Sequence, residues 1–292
     1  MNVMPIKSLG LMINTMKPEA YALVPQVAAA CAEEGVALWS AQSLGDSVRR
    51  ADTAGDMLAA SDALLVLGGD GTILRAVAEM ERRVRPVCGV NLGKLGFLAE
   101  CAPDEIPLAI GRMARGAYRL EERMMLSVRV GESPERYIAL NDVVITRGSF
   151  AHVIQTDTYI DGRLAAHYDG DGAVVASPTG STAYSLSAGG PIVAPDMACI
   201  VLAPICPHTL SSRPMVVSAS AKVRMEFHPR NEDGGMLLSV DGIHCATLQH
   251  PTVLHLRRAK QLLPFVRLGE DRFFESLRSK LSKWGGALEN EP

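Results

Sequence analysis

In the N-terminal part of the chain, short apolar runs bounded by polar residues alternate with longer stretches of helical period. Leu9 to Ile13 reads as a buried strand, and Met16 to Glu34 as a helix whose apolar positions Leu23, Val27 and Cys31 share a face. Gly35 stops that helix. Val36 to Trp39 reads as a second strand and Asp46 to Ala59 as a weak helix. Ala63 to Leu67 is then an unbroken apolar strand, and behind it Ile73, Leu74, Val77 and Met80 recur at helical spacing. Pro86 to Val90 makes a fourth strand, and Pro103 to Arg115 a further helix. Strands and helices in alternation predict a parallel sheet with helices on its faces, and such sheets hold ligands beyond the carboxyl ends of their strands.

Past Gly116 the period changes to that of strands. Met124 to Val130, Tyr137 to Thr146 and Val153 to Ile160 are strand-like, Asp161-Gly162 is a tight hairpin signal, and Leu164 to His167 is its return strand. Ala173 to Ala176, Cys199 to Ala203, Met215 to Val217, Lys222 to Phe227, Met236 to Val240 and Val253 to Leu256 continue the pattern, separated by glycine and proline. The expected division is an α/β domain over residues 1–117 and a β-rich domain over 118–259, with no low-complexity tether. Asp271 to Trp284 is amphipathic, with Phe273, Phe274, Leu277 and Leu281 on one face, and needs a surface to dock on.

At 292 residues the chain exceeds one ordinary core, which agrees with two domains. A net charge of −3 with scattered Lys and Arg lacks the electrostatic footprint of a nucleic-acid binder, so a small-molecule partner is expected. Cys31, Cys88, Cys101, Cys199, Cys206 and Cys245 form no C-x-x-C pair and read as reduced core residues. No signal peptide and no apolar run of about 18 residues is present, so the expected compartment is the cytosol, away from membranes.

The candidate chemistry begins at the end of the central strand, in Gly68-Gly-Asp-Gly-Thr72. A strand, a glycine turn and a helix together aim free backbone amides beyond the strand end and let an anion approach closely. Gly68, Gly69 and Gly71 match neither G-x-G-x-x-G nor the P-loop pattern. Asp70 is the unusual member, because a carboxylate among phosphate-binding amides repels the ligand unless it meets a metal or takes a proton from an attacking hydroxyl. The alternative is that Asp70 merely caps the helix. A second glycine-bearing turn, Asn91-Leu-Gly-Lys-Leu-Gly-Phe97, follows the next strand.

Ser177 to Pro191, SPTGSTAYSLSAGGP, presents hydroxyls and amides rather than charge, which suits a ribose, an adenine edge or phosphate oxygens. Asn141-Asp142, set between Leu140 and Val143, offers the acceptors and donors a ribose diol wants, although a turn or bulge would use the same pair. Asp169, Asp171 and Asp241 lie beside glycines and are each read first as turn residues. His152, His167 and His208 have no metal-ligand spacing, and no G-x-S-x-G elbow supports a hydrolase.

Taken in order, these motifs, with Pro204-x-x-Pro-His-x-Leu-Ser-x-Arg-Pro214 and Asp241-Gly242, resemble the bacterial NAD kinases over most of the chain. The resemblance implies phosphorylation of the adenosine-ribose 2′-hydroxyl of NAD by ATP, with a divalent cation such as Mg²⁺, in the cytoplasm, by a homodimer or homotetramer. It implies an N-terminal α/β domain with a parallel sheet (Rossmann-like, phosphofructokinase-like), a β-rich NAD-binding C-terminal domain, and residues 260–292 returning to the first domain. Asp70 is then the general base, Gly71 lies beside it, Arg75 is placed for a phosphate, and Gly68, Gly69, Gly71 and Thr72 form the phosphate loop. Asn141 and Asp142 become ribose or nicotinamide-side ligands, while Thr182, Ala183, Tyr184, Ser185, Leu186 and Ser187 clamp the adenine side. Asp171, His152 and Asp169 fall where the family contacts the dinucleotide. Asp169, where many members carry a basic residue, and Ile243, where many carry glutamine, depart from the pattern. A lipid or sugar kinase of the same superfamily, or an NAD-binding sensor without catalysis, are the rival readings.

Overall fold

A computed structural model describes residues 4–80, 83–93, 96–148, 153–209, 211–230, 235–248, 251–270 and 272–284. The chain divides into two compact units, Met1–Glu122 with Leu263–Pro292, and Arg123–Leu262.

The first unit opens with β1 (Ser8–Ile13), α1 (Pro18–Ala22) and α2 (Val24–Glu33). The single helix expected from Met16 to Glu34 is broken at Leu23, because Pro25 has no N–H for the carbonyl one turn back and its ring crowds that turn. Val27 and Cys31 are buried as expected, and Gly35 ends the helix at φ +66. β2 (Ala37–Ser40) follows. The helix expected over Asp46 to Ala59 is instead a two-residue strand, β3 (Arg49–Arg50), then α3 (Ala54–Ala60). Thr53 starts α3 late by accepting from the Asp56 amide, and Arg49 pairs beside Trp39 at the sheet edge. β4 (Ala63–Gly68), fully buried, leads into α4 (Asp70–Met80), then β5 (Val87–Asn91), a 3₁₀ turn (Pro103–Glu105) and α5 (Ile106–Ala114). The strands lie in the order β5-β4-β1-β2-β3, all parallel. Ile73, Val77 and Met80 of α4 are buried, and Ile73 lies so close to Gly89 of β5 that a Cβ there would sit 2.6 Å from its side chain.

β6 (Arg119–Val130) carries the chain into the second unit, followed by β7 (Tyr137–Ala139) and β8 (Asp142–Arg147). The one strand expected over Tyr137 to Thr146 is interrupted at Leu140 and Asn141, whose amides bond to a side chain instead of a neighbouring strand. β9 (Ile154–Ile160) and β10 (Arg163–Gly170) form the expected hairpin, with Asp161 at φ +49 and Gly162 at φ +82. Then come β11 (Gly172–Ala176), a 3₁₀ turn (Thr179–Thr182), α6 (Tyr184–Ser187), β12 (Cys199–Ile205), β13 (Met215–Ser218), β14 (Val223–Pro229), β15 (Met236–Val240), β16 (Ile243–Leu248) and β17 (Thr252–Arg267). β16 is an addition to the sequence reading, and β17 extends well beyond Val253 to Leu256.

Within this unit β13-β12-β11-β8-β15-β16 form an antiparallel sheet, and β10, β9, β14 and the first half of β17 form another. Side chains of both, including Ile145, Val175, Ile200, Leu238, Met225, Phe227 and Leu254, make one apolar cluster. The last residues of β17 return to the first unit, where Phe265 pairs in parallel with Val87 of β5. There Arg267 bridges Glu100 and Glu121 at 2.9 and 2.6 Å. The chain ends in α7 (Phe273–Trp284). Four of the six cysteines are buried, but Cys206 is exposed and Cys245 half-buried, so the expectation of an all-core set holds for four only.

Candidate active site

The first unit places its chemistry where β4 becomes α4. Gly68 has no room for a side chain, because a Cβ there would sit 2.2 Å from Thr72 Oγ1, whereas Gly69 and Gly71 face open space. The amides of Thr72 and Ile73 are spent on the Gly69 carbonyl. Those of Asp70 and Gly71 come first in the helix, where no intrahelical acceptor exists. This half of the turn can therefore receive an anion.

Asp70 does not cap its own helix, which removes the helix-cap alternative. Its carboxylate turns to the neighbouring loop, accepting from the Phe97 amide at 2.9 Å through Oδ2 and the Leu98 amide at 3.2 Å through Oδ1. Gly96 allows that approach, since a Cβ at that position would lie 2.0 Å from Oδ1. Each oxygen keeps a further lone pair. The two glycine-bearing turns of the sequence thus meet at one carboxylate.

Sequence reasoning missed Lys280 here. Its Nζ stands 3.8 Å from Asp70 Oδ2 and 3.9 Å from the centre of the Phe97 ring. On the same helix Phe273 packs against Phe97 with centroids 5.8 Å apart. α7 therefore packs against Phe97 through Phe273 and Lys280, while Phe274 and Leu281, expected on the docking face, are exposed. A lone lysine in an amphipathic helix carries no motif; only the need for α7 to dock pointed towards it. Arg75 is exposed one turn along α4. Lys17 donates to the Leu92 carbonyl of the second turn.

The second unit assembles the polar pair with the serine-rich loop. Asp241 and Gly242 form the hairpin turn between β15 and β16, at φ +50 and +76. From that turn the Asp241 carboxylate accepts the amides of Leu140, Asn141 and Asp142, at 2.8, 2.7 and 3.1 Å. Asp241 is thus both the turn residue its spacing suggests and the brace of the Asn141-Asp142 pair. Gly180 packs so close to Asn141 that a Cβ would lie 2.1 Å from its carbonyl oxygen. Ser177 donates its amide to that oxygen and its hydroxyl to the Leu140 carbonyl. The Tyr184 amide, at the start of α6, donates to the Asp142 carboxylate.

Burial, and then the charge of Asp241, push the Asp142 carboxyl up to about 7, against the pull of the Tyr184 amide. Burial also raises Asp241, whose three amide donors oppose it. The Tyr184 phenol is raised by burial and by Cys206, Asp171 and Asp142. Two buried atoms, Asn141 Oδ1 and Ser185 Oγ, have no hydrogen-bond partner among the described residues. Buried polar groups left open in this way are what a polar ligand fills.

Of the remaining candidates, Thr182 is buried, Ala183 and Leu186 half-buried, and Ser187 exposed. Asp171 pairs with Arg147 at 3.2 Å and acts electrostatically on Tyr184. Asp169 is instead gripped by Arg230, at 3.2 and 2.5 Å to its two oxygens. His152 lies outside the described residues. Among the described residues one group could supply three metal ligands, Asp157, Glu226 and His228 on β9 and β14, which the spacing of the histidines did not suggest.

A carboxylate held at a glycine turn beyond a parallel strand, in a chain whose second unit is a braced, hydroxyl-rich β-structure, defines a nucleotide-handling phosphotransferase. The profile of the ATP-NAD kinase N-terminal domain matches residues 9–118, and that of the C-terminal domain residues 140–268. The NAD kinase of Moorella thermoacetica is 42% identical over 235 residues, 80% of this chain and 75% of that one. The NAD kinase of Syntrophotalea carbinolica is 36% identical over 287 residues, 96% of this chain and 99% of its own. This chain belongs to the ATP-NAD kinase family. Among solved structures, yeast NADH kinase complexed with NADH superposes with a TM-score of 0.88 at 25% identity, over 99% of this chain and 91% of the other. The fold is shared as well with an NAD kinase from Archaeoglobus fulgidus in complex with ATP, at a TM-score of 0.75, 23% identity, and coverage of 94% and 98%. No helix among the described residues is long and apolar enough to cross a membrane.

Proposed function

We propose that this protein is an NAD kinase that moves the terminal phosphoryl group of ATP to the 2′-hydroxyl of the adenosine ribose of NAD, giving NADP and ADP. The observation that carries the assignment is the Asp70 carboxylate, fixed by two amides of the adjoining loop rather than spent on its own helix. Asp70 takes the hydroxyl proton as the ribose oxygen bonds to phosphorus and the bond from phosphorus to the bridging oxygen of ADP breaks. A base so placed typically contributes about 10² to 10⁴ in rate. The open amides of Asp70 and Gly71, with Gly68, Gly69 and Thr72 shaping the turn and Arg75 nearby, hold the phosphates.

Asn141, Asp142, Asp171 and residues 182–187 hold the dinucleotide. Asn141 Oδ1 and Ser185 Oγ, open and buried, supply the polar contacts that the bases and sugars need. Asp169, gripped by Arg230, and His152 complete the set that the family resemblance assigns.

Magnesium suits the residues present. The Oδ1 atom of Asn91, at the end of β5, is buried without a partner among the described residues, and Mg²⁺ takes oxygen ligands alongside nucleotide phosphates. Asn91 would hold it together with the phosphate oxygens. When bound, the ion neutralises phosphate charge.

The protein acts in the cytoplasm as a homodimer or homotetramer, a reading supported by its family membership and its free, mostly buried thiols. The likeness to yeast NADH kinase favours NADH as a second acceptor.

Asp70→Asn keeps the shape and both amide contacts but cannot take the proton. Its kcat is expected to fall by about 10² or more while NAD affinity, measured by calorimetry, is kept. A variant turning over at the wild-type rate removes Asp70 as the base.

A further inference from the structure

We propose that Lys280, on the C-terminal helix α7, is a phosphate ligand of the reaction, binding the terminal phosphate of the nucleoside triphosphate beside Asp70. This rests on the phosphoryl-transfer reading given above, and adds to it a cation that lies outside both glycine turns.

The ammonium stands 3.8 Å from Asp70 Oδ2, beyond hydrogen-bonding distance. It has three donors, and none of them has a hydrogen-bond partner among the described residues. Nor does Asp70 need it, because the amides of Phe97 and Leu98 already serve the carboxylate. Lys280 is nevertheless held in place. Its Nζ lies 3.9 Å over the Phe97 ring, and Phe273, two turns earlier on the same face of α7, packs against that ring.

Burial lowers the ammonium below its ordinary range while Asp70 pushes it back. A fixed, half-desolvated cation with unfilled donors beside an anion-accepting helix start has one kind of ligand to take, an anion. In phosphoryl transfer, charge builds on the oxygens of the moving group, and a lysine point charge there is worth most where water is scarce. The purely local alternative, in which Lys280 only balances Asp70, predicts no dependence of ATP affinity on this side chain.

The test compares wild type, Lys280→Met and Lys280→Arg, with ATP affinity by calorimetry and steady-state constants for ATP and NAD. Loss of a charged hydrogen bond is expected to weaken ATP about tenfold to a hundredfold in Lys280→Met, with NAD affinity unchanged and Lys280→Arg recovering most of the loss. Equal ATP affinity in Lys280→Met and wild type overturns the proposal. A readout independent of any variant is acylation of the wild-type lysines followed by mass spectrometry. Protection of Lys280 by ATP and not by NAD supports the assignment, and equal labelling with and without ATP overturns it. A wild-type protein that binds ATP through Lys280 yet forms no NADP would refute the kinase reading while leaving the ligand in place.

Discussion

At the scale of the residue, the second unit keeps a carboxylate where folding alone would not. Asp142 is buried beside Asp241, and its carboxyl is raised to about 7. A carboxyl raised on folding is held protonated more firmly by the folded chain than by the unfolded one. Its contribution to stability is therefore fully present below the ordinary carboxylate range, is lost progressively as pH rises, and is gone above about 7. Asp142→Asn, which keeps an acceptor for the Tyr184 amide, is thus expected to melt progressively higher than wild type as pH rises from about 5 to about 8, while binding NAD more weakly. A melting difference that is flat across that range, measured by calorimetry without ligand, would contradict the account. The sequence marked Asn141-Asp142 as a polar pair in an apolar strand. It could not tell that Asp241, a hundred positions or so along the chain, braces it, because hairpin spacing explains Asp-Gly without reference to any distant amide.

At the scale of the element, the site of the first unit is a contact between a helix start and a loop. Gly96 makes that contact possible, so Gly96→Ala should expel the Asp70 carboxylate from the amides of Phe97 and Leu98. The expected outcome is a kcat loss of the same order as in Asp70→Asn, together with a fold that circular dichroism cannot distinguish from wild type. Unchanged turnover would mean the loop does not position the base. Long periodic elements were legible: β1, β4, α4 and β15 lie where the apolar pattern puts them. Elements whose limits depend on a partner were not. Thr53 and the pairing of Arg49 with Trp39 divide the stretch from Asp46 to Ala59, Pro25 divides the first helix, and Asp241 interrupts the strand at Leu140. β16 escaped because its residues are largely exposed and follow no clear alternation. The amphipathic pattern of α7 gave the helix but misjudged its face, since Phe273 and Lys280 dock while Phe274 stays exposed.

At the scale of the whole molecule, the chain passes between its two units along β6 and again along β17, so the C-terminal residues belong with the first unit. The alternation of strands and helices before Gly116, and of strands after it, made the two kinds of unit readable from sequence. The ordered motifs carried the family. Lys280 stayed hidden because a single lysine gains meaning only when α7 is docked. The reaction proposed for this chain converts NAD to NADP. It is tested most directly by incubating the purified chain with ATP, Mg²⁺ and NAD and following product with an NADP-specific dehydrogenase. NADP is expected to accumulate with ATP present and not without it, and about 10²-fold or more slowly from Asp70→Asn than from wild type. No NADP from a wild-type protein that binds both ATP and NAD would contradict it.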